Sequence, residues 1–393
     1  MKKRHLFWIV PLVLIVAGGV ALHYVAPGLV ENGQNAVERD GTRTASQEAR
    51  ALHKTLNVAD LHADSLLWKR DLLTRSDRGH VDVPRMVEGN LALQVFTTVT
   101  KSPKGQNYEA NSSDAADNIT LLALAQMWPP STWQNLTERA LYQAQKLYGF
   151  AERAPERLII IENSDDLKSL ISRRASGDEV VGGLLGTEGS HALSKNLDNI
   201  SRLYDAGFRL MSLQHFFDNA LGGSLHGSGK KGLTEFGKQA VRKMEDMGIM
   251  IDVSHSSENV VRDTLAIVKR PLIVSHTGTR GHCNTHRNIS DDLMVEIANR
   301  GGLIGIGYWD AAICDYSPEG IAKAIQAAVA LVGEDHVALG SDFDGAVTTK
   351  LDASELVLIT EALLDLGMDE EIIRKVMGQN QIDFFMKNLP TGS

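Results

Sequence analysis

The sequence is poor in cysteine, since its 393 residues contain only Cys283 and Cys314. That count excludes the disulfide framework that holds small secreted domains together. A chain of this length buries a large core without such bonds. The sequence therefore favours two free thiols over a single bridge.

The chain also lacks a basic surface stripe. The first residues contain Lys2, Lys3 and Arg4, no comparable run of lysine and arginine occurs elsewhere, and the formal net charge is -9. This balance argues against nucleic acid as a partner. Nucleotide signatures are missing too, because no G-x-G-x-x-G motif follows the first apolar run. The glycine-rich stretch 222–232 does not have P-loop spacing, and it predicts an active-site loop instead.

One long apolar segment is present, at the N-terminus. Residues 6–26 are mostly apolar and follow basic residues, which predicts a transmembrane anchor with a cytoplasmic tail over residues 1–5. The rest of the chain would then lie outside the cytoplasm, in the periplasm or the extracellular space. A cleaved signal, which would make the protein secreted, is the alternative. No clear cleavage site precedes Pro27, which favours the anchor. Residues 27–45 are polar and predict a linker, and residues 46–390 predict one catalytic domain.

Short runs of Val, Ile and Leu alternate with segments of helical period along the rest of the chain. Continuous apolar strands separated by helices predict parallel strands buried on both faces. The number of such units favours a (β/α)8 TIM-type barrel, an α/β fold, over a doubly wound open sheet. Residues 101–158 predict an insertion that acts as a lid or surface decoration. The predicted strands are Val58–Leu61, Leu91–Thr97, Val180–Gly186, Phe208–Leu213, Ile249–Val253, Pro271–Ser275, Gly302–Tyr308 and His336–Gly340.

Side chains of metal-ligand type follow most of these strands. In such a barrel the C-terminal strand ends carry the active site. A single His at a strand end is usually an ordinary loop residue, and a single Asp there is often a helix cap. A chain with 13 His, however, would not by chance place several of them beside different strand ends. Glu188 follows a buried run, where an unpaired carboxylate is costly. The candidates are His62, Asp64, Glu188, His191, His215, Asp252, His255, His276, Asp342 and Asp344, of which Asp252 is expected to turn towards a structural partner.

The strongest of these candidates predict a metal centre. Mixed His and carboxylate ligands suit Zn²⁺, although Mn²⁺ or Co²⁺ also bind them. The number of ligands exceeds what one ion needs and predicts two Zn²⁺ per chain, with Glu188 as the bridge. Two metals lower the pKa of a shared hydroxide and polarise the carbonyl or phosphoryl group that it attacks. The predicted ligands are His62, Asp64, Glu188, His255 and His276.

Several motifs together resemble the membrane dipeptidase (renal dipeptidase) family of the amidohydrolase superfamily. They agree with it in order, spacing and local sequence from about residue 50 to residue 387. The motifs are H-x-D at 62–64, E-G-x-H at 188–191, D-x-S-H at 252–255, S-H at 275–276, GTRGHCNTHRNISDD at 278–292 and GSDFDG at 340–345.

The resemblance implies a metal role for each predicted ligand. His62 and Asp64 would bind the first zinc. His255 and His276 would complete the second. Glu188 would bridge both.

The resemblance also implies three residues that handle the substrate. His215 would contact it and stabilise the tetrahedral intermediate. Arg287 would hold the terminal carboxylate, which a guanidinium fork suits. Asp342 would meet the free amino group and move the proton, so that His215 and Asp342 are the expected catalytic residues.

The implied activity is hydrolysis of dipeptides, L-Xaa-L-Xaa and also L-Xaa-D-Xaa, by a hydroxide that bridges the two metals. A homodimer is implied as well. Two alternatives remain open at the level of sequence. The protein could be an amidohydrolase for another small amide or lactone, such as a β-lactam or an N-acyl amino acid, or an inactive, membrane-tethered binding protein that kept the barrel.

Overall fold

The structure is a computed structural model that describes residues 23–41 and 43–392. Its centre is a sheet of parallel strands. The strands are β1 (Val58–Ala63), β2 (Leu91–Val99), β3 (Leu158–Ile160), β4 (Val181–Glu188), β5 (Phe208–Ser212), β6 (Met250–Asp252), β7 (Ile273–Thr277), β8 (Leu303–Ile306) and β9 (Val337–Leu339).

Eight of these strands close into a barrel. The hydrogen-bonded order is β2-β1-β9-β8-β7-β6-β5-β4, and β2 pairs with β4 to close the ring. The predicted TIM-type barrel is therefore confirmed. Every residue of the eight barrel strands is buried, which is why the strands form continuous apolar runs in the sequence.

The short strand β3 was not predicted. It pairs with the first residues of β4, on the edge of β4 that β5 occupies further along. It lies at the end of the insertion predicted over residues 101–158.

Helices fill the connections between the strands. They are α1 (Ala26–Gln34), α2 (Gln47–Lys54), α3 (Val83–Glu88), α4 (Asn118–Ala125), α5 (Leu136–Arg153), α6 (Ser164–Ala175), α7 (Asp198–Asp205), α8 (Glu235–Asp246), α9 (Glu258–Ile267), α10 (Asp291–Asn299), α11 (Asp310–Ile313), α12 (Pro318–Val332), α13 (Val357–Asp365), α14 (Glu370–Arg374) and α15 (Asn380–Asn388). The insertion contributes α4 and α5.

The N-terminal prediction falls partly outside the described residues. Residues 6–22 of the predicted anchor are not described. Among the residues that the structure does describe, no helix combines the length and the apolar character needed to cross a membrane.

The segment predicted as a linker, residues 27–45, is partly helical and is attached to the barrel. It contains most of α1, whose Glu31 is buried and paired with Arg70 and with Arg78, the latter at 2.9 Å. The backbone N–H of Glu38 donates to the carbonyl of Thr349 at 2.8 Å. Contacts with residues so distant in the sequence cannot be inferred from local polarity.

The prediction of two free thiols is wrong, because Cys283 and Cys314 form a disulfide. Cys283 lies in the loop after β7, and Cys314 directly follows α11, after β8. Since β7 and β8 are neighbours, their loops bring the two Cα atoms to 5.6 Å. The two cysteines are 31 positions apart in sequence, and only the strand order shows that they meet.

Candidate metal centre and its cavity

The side chains predicted from the strand ends meet at one end of the barrel, around Glu188. Oε1 of Glu188, the last residue of β4, is 3.2 Å from Nε2 of His255, 3.4 Å from Nε2 of His276 and 3.5 Å from Nε2 of His62. Its Oε2 is 3.2 Å from Nε2 of His215. One carboxylate thus contacts imidazoles from four different strands.

Two groups of buried ligand atoms share this carboxylate. In each group the candidate ligand atoms all lie within 4.8 Å of one another. The first group contains Asp342, which was not predicted as a metal ligand. It also contains His276, which was expected to bind the second metal. Asp64 lies beside the first group, with Oδ1 3.8 Å from Nε2 of His62. The groups are Glu188 with His62, His276 and Asp342, and Glu188 with His215 and His255.

The donor set fits a bound cation. Nε2 of His255 and Nε2 of His276 face each other at 2.9 Å. Oδ1 of Asp342 is buried and has no hydrogen-bond partner among the described residues. Buried acceptor atoms that converge in this way need a positive charge between them. Nitrogen and carboxylate oxygen are the ligands that zinc takes.

A serine hydroxyl orients two of the imidazoles. Oγ of Ser275 is 3.1 Å from Nδ1 of His62 and 2.9 Å from Nδ1 of His276, which leaves both Nε2 atoms facing Glu188. Ser275 also contacts Asp252 at 2.6 Å. Asp252 turns to a structural partner, as the sequence indicates. Partners of this kind set the orientation of metal-binding imidazoles.

Burial dominates the electrostatics of four of these groups. It raises the pKa of Glu188 to about 8, and the charge of Asp64 adds to the effect. Burial also raises the pKa of Asp342 well above its usual range. It lowers the pKa values of His255 and His276 well below theirs. Without a cation, these two carboxyl groups resist ionisation and these two imidazoles resist protonation. A bound cation would favour the ionised carboxylates.

Backbone strain also collects at this end of the barrel. His255 has φ 59°, Asp342 has φ 60° and Asp344 has φ 62°, in the left-handed region that residues with a side chain rarely adopt. Such conformations cost about 1–3 kcal/mol each and cluster at functional sites. All three are among the candidates predicted from the strand ends.

Arg287 lies beside the cluster, buried, on the loop after β7. Its Nη2 donates to the carbonyl of His276 at 2.9 Å, and its guanidinium lies 5.1 Å from the ring centroid of Trp309. Nε1 of Trp309 donates to the hydroxyl of Tyr108 at 3.1 Å. Burial raises the pKa of Tyr108 to about 12, so this phenol stays protonated at neutral pH. Neither aromatic residue was predicted, because an isolated aromatic in a loop has no spacing signal.

A cavity of about 660 Å³ opens above the cluster. That volume is in the range of small-molecule sites. Its floor includes Asp64, Glu188 and His215, and its wall comes from α1 and from α4 of the insertion. The apolar wall residues from these two helices are Ala26, Pro27, Val30, Ile119, Leu121, Leu122 and Ala125. The barrel adds Leu67, Trp68, Val99 and Phe216 to the lining.

Comparison with known proteins gives a consistent picture. The model of the family described as membrane dipeptidase (peptidase family M19) matches residues 46–387. Dipeptidase tcpJ of Claviceps purpurea is 27% identical over 321 residues, which cover 79% of this chain and 69% of the relative.

Two solved structures share the fold. Dipeptidase AC, a metallopeptidase of family M19, superposes with a TM-score of 0.72 at 23% identity, covering 85% of this chain and 99% of the other. A metallopeptidase from Rhodobacter sphaeroides, bound to a phosphinate mimic of L-Ala-D-Ala, superposes with a TM-score of 0.69 at 24% identity, with the same coverage.

Proposed function

The chain belongs to the membrane dipeptidase family, peptidase family M19, and from that premise we propose that it hydrolyses dipeptides with two Zn²⁺ per chain. The observation that carries the proposal is the pair of buried donor groups that share Glu188. One carboxylate placed between two sets of imidazoles is what a two-metal site requires.

We assign the metal ligands from the predicted set. His62, Asp64 and Glu188 would hold one ion, and Glu188, His255 and His276 the other. This division differs from the two donor groups in the place of His276, which we assign with His255 because their Nε2 atoms lie 2.9 Å apart. When bound, the ions would supply Lewis-acid polarisation of the substrate carbonyl and a water of lowered pKa.

Arg287 and Asp342 would bracket a short zwitterion. Within the described residues the side-chain hydrogen bonds of Arg287 run from Nη2 alone, so Nε and Nη1 are available for a substrate carboxylate. Oδ1 of Asp342 has no hydrogen-bond partner there, and it can accept from the substrate's ammonium group. A pKa raised by burial suits Asp342 to carrying a proton to the leaving amine.

His215 would contact the substrate from the cavity floor. Its Nδ1 lies 3.3 Å from the carbonyl of Lys101, which places a proton on Nδ1. Burial lowers the pKa of His215 to about 4. Negative charge developing on the substrate oxygen would raise that pKa and favour uptake of a proton from solvent at Nε2. His215 would then donate from Nε2 to the oxygen of the tetrahedral intermediate.

We propose substrates of both L-Xaa-L-Xaa and L-Xaa-D-Xaa type. The metallopeptidase from Rhodobacter sphaeroides, of the same fold, is bound to a mimic of L-Ala-D-Ala. The cavity of about 660 Å³ extends beyond the ligand cluster and is large enough for a dipeptide.

We also propose that residues 6–26 anchor the protein in a membrane with the catalytic domain outside the cytoplasm. The disulfide between Cys283 and Cys314 supports this location, because disulfides persist in oxidising compartments and are rare in the cytosol.

A substrate panel tests the proposed activity. Metal-depleted protein reloaded with Zn²⁺ should hydrolyse L-L and L-D dipeptides and should show lower kcat/KM for lactones, β-lactams and N-acyl amino acids. Faster turnover of one of those classes would identify another amidohydrolase. Protein that retains no zinc and gains no activity with added Zn²⁺ would be a binding protein, and the enzyme proposal would be wrong.

Arg287→Ala tests whether Arg287 binds the terminal carboxylate of the substrate. Loss of a charge-assisted contact should raise KM for dipeptides with a free terminal carboxylate by roughly 10–100-fold, with a smaller change in kcat. Methyl esters of the same dipeptides should respond little. Arg262→Ala, which removes an exposed arginine paired with Asp292, is the control. An equal effect on acids and esters would exclude the proposed role.

A further inference from the structure

An exposed apolar surface borders the mouth of the cavity; we call it the mouth patch. Among the described residues, the large hydrophobic side chains with the greatest exposure, from 37% to 71%, belong to it. Its members come from the N-terminal segment and from the insertion. They are Tyr24, Val25, Leu29, Val30, Leu121, Leu124, Met127 and Trp133.

The two halves of the mouth patch lie side by side. Helices α1 and α4 contact each other, and Nδ1 of His23 lies 3.2 Å from the carbonyl of Ala125. Val30 and Leu121 belong to the patch and also line the cavity. The patch is therefore continuous with the cavity wall.

Both halves are free of charge. No Asp, Glu, Lys or Arg occurs in residues 23–30 or in residues 118–137, although such residues make up 23% of the chain. The one acidic residue of α1, Glu31, is buried and paired with Arg70 and Arg78. A charged residue, Lys69, lies at the edge of the patch, with Nζ 2.7 Å from Nε2 of His23 and 5.0 Å from the ring centroid of Tyr24. An apolar surface with Tyr, Trp and a lysine at its edge suits the boundary between lipid headgroups and acyl chains.

We propose that the mouth patch rests on the surface of a lipid bilayer, so that the cavity opens beside the membrane. The choice of a bilayer over a protein partner comes from where the rest of the chain leads. The apolar run of residues 6–22 ends immediately before His23, at the edge of the patch. One residue extends the chain by at most about 3.6 Å. If residues 6–22 lie in a bilayer, the patch that follows them therefore stays at the bilayer surface.

The proposal also gives a role to the buried ion pairs between α1 and the barrel. The ion pairs of Glu31 hold the apolar side of α1 in one orientation relative to the cavity. The docked orientation of the barrel would therefore be defined, with the C-terminal strand ends towards the lipid.

Fluorescent labels in the full chain test the proposal. Cys283 and Cys314 are bonded to each other, so Leu124→Cys and Met127→Cys each provide a single free thiol for an environment-sensitive fluorophore. The labelled protein is reconstituted in phosphatidylcholine–phosphatidylglycerol vesicles that contain a spin-labelled lipid. Glu179→Cys is the matched control, because it is exposed and precedes β4, at the opposite end of the barrel.

Both patch labels should be quenched by the spin-labelled lipid roughly twofold or more above the control label. They should also be protected from aqueous iodide. Adding the double substitution Leu29→Glu and Val25→Glu should reduce the lipid quenching of the Met127→Cys label, with the circular dichroism spectrum unchanged.

Two outcomes would overturn the proposal. Patch labels that iodide reaches as easily as the control label would show a surface exposed to water. Labels that are protected from iodide but are not quenched by the lipid would show that a second copy, another protein or the chain's own residues 6–22 covers the patch. The inference rests on the proposed membrane anchor, and flotation of the labelled protein with the vesicles reports anchoring separately from the position of the patch. None of these readouts depends on turnover, so they stand or fall separately from the dipeptidase proposal.

Discussion

The floor and the wall of the cavity are built in opposite ways. The floor is polar and buried, and Glu188, His255 and His276 reach it from the ends of three barrel strands. The wall is largely apolar and partly exposed, and much of it comes from α1 and α4, which lie outside the strands of the barrel. Helix α1 also precedes residue 46, where the match to the dipeptidase family begins.

The floor therefore carries the ligand-type side chains, and the wall determines the shape and polarity of the space above them. Paired strands fix the floor within fractions of an ångström, as converging metal ligands require. The wall needs only shape and low polarity, so helices attached by a few contacts suffice. The two regions are nonetheless joined, because Arg70 pairs with both Glu31 of α1 and Asp344, two residues after Asp342.

Glu188→Gln should produce the largest effect, because it acts on the centre of the floor. A neutral amide cannot compensate two cations, so we expect loss of bound zinc and a fall in kcat/KM of roughly 10³-fold or more. Metal content by mass spectrometry and dipeptide hydrolysis measure the two effects. His286→Gln is the control, since His286 is exposed and pairs with Glu109 on the surface. Near-normal activity of Glu188→Gln would remove the bridging assignment.

Glu31→Gln breaks the link between wall and floor. It leaves the buried Arg70 with one carboxylate partner fewer, so we expect the free energy of unfolding to fall by about 2–3 kcal/mol. Urea denaturation measures this, and a few-fold rise in KM should accompany it. Glu38→Gln on the same segment is the control, because Glu38 is exposed and its ion pair should contribute less than about 1 kcal/mol. Equal stability of the two variants would mean that α1 is only loosely attached.

Leu122→Ala changes the wall alone and should have the smallest effect. A smaller apolar contact should raise KM for dipeptides with large apolar side chains by roughly 3–10-fold while kcat stays the same. Dipeptides with charged side chains should respond less. Leu358→Ala, on α13 away from this cavity, is the control. A fall in kcat equal to the rise in KM would show that the wall also positions the reacting groups.

The barrel strands were predictable because of their burial. All residues of a strand such as β4 are inside, so residues 181–186 form an apolar run between helical segments. The strand β3 escaped prediction for the opposite reason, since it has three residues and two of them are half-buried. The ligand-type residues were predictable because parallel strands all end on the same face.

Other features of the site have no local signature. Ser275 is one of many serines until its hydroxyl is found between two imidazoles. Tyr108 is an isolated aromatic in the insertion until it meets Trp309. The incorrect thiol prediction has the same cause, because the two cysteines are distant in the sequence. So has the buried ion pair of residues 27–45, since Glu31 meets Arg70 only in the folded chain.

The sequence by itself determined the order of strands and helices and the residues available for metal chemistry, because period, burial and ligand type are local properties. Only the tertiary structure decided which ligands share a group, that Cys283 meets Cys314 and that α1 forms a cavity wall. These are contacts between residues far apart in the chain. They depend on strand order and barrel closure, which bring separate segments together and which no single segment encodes.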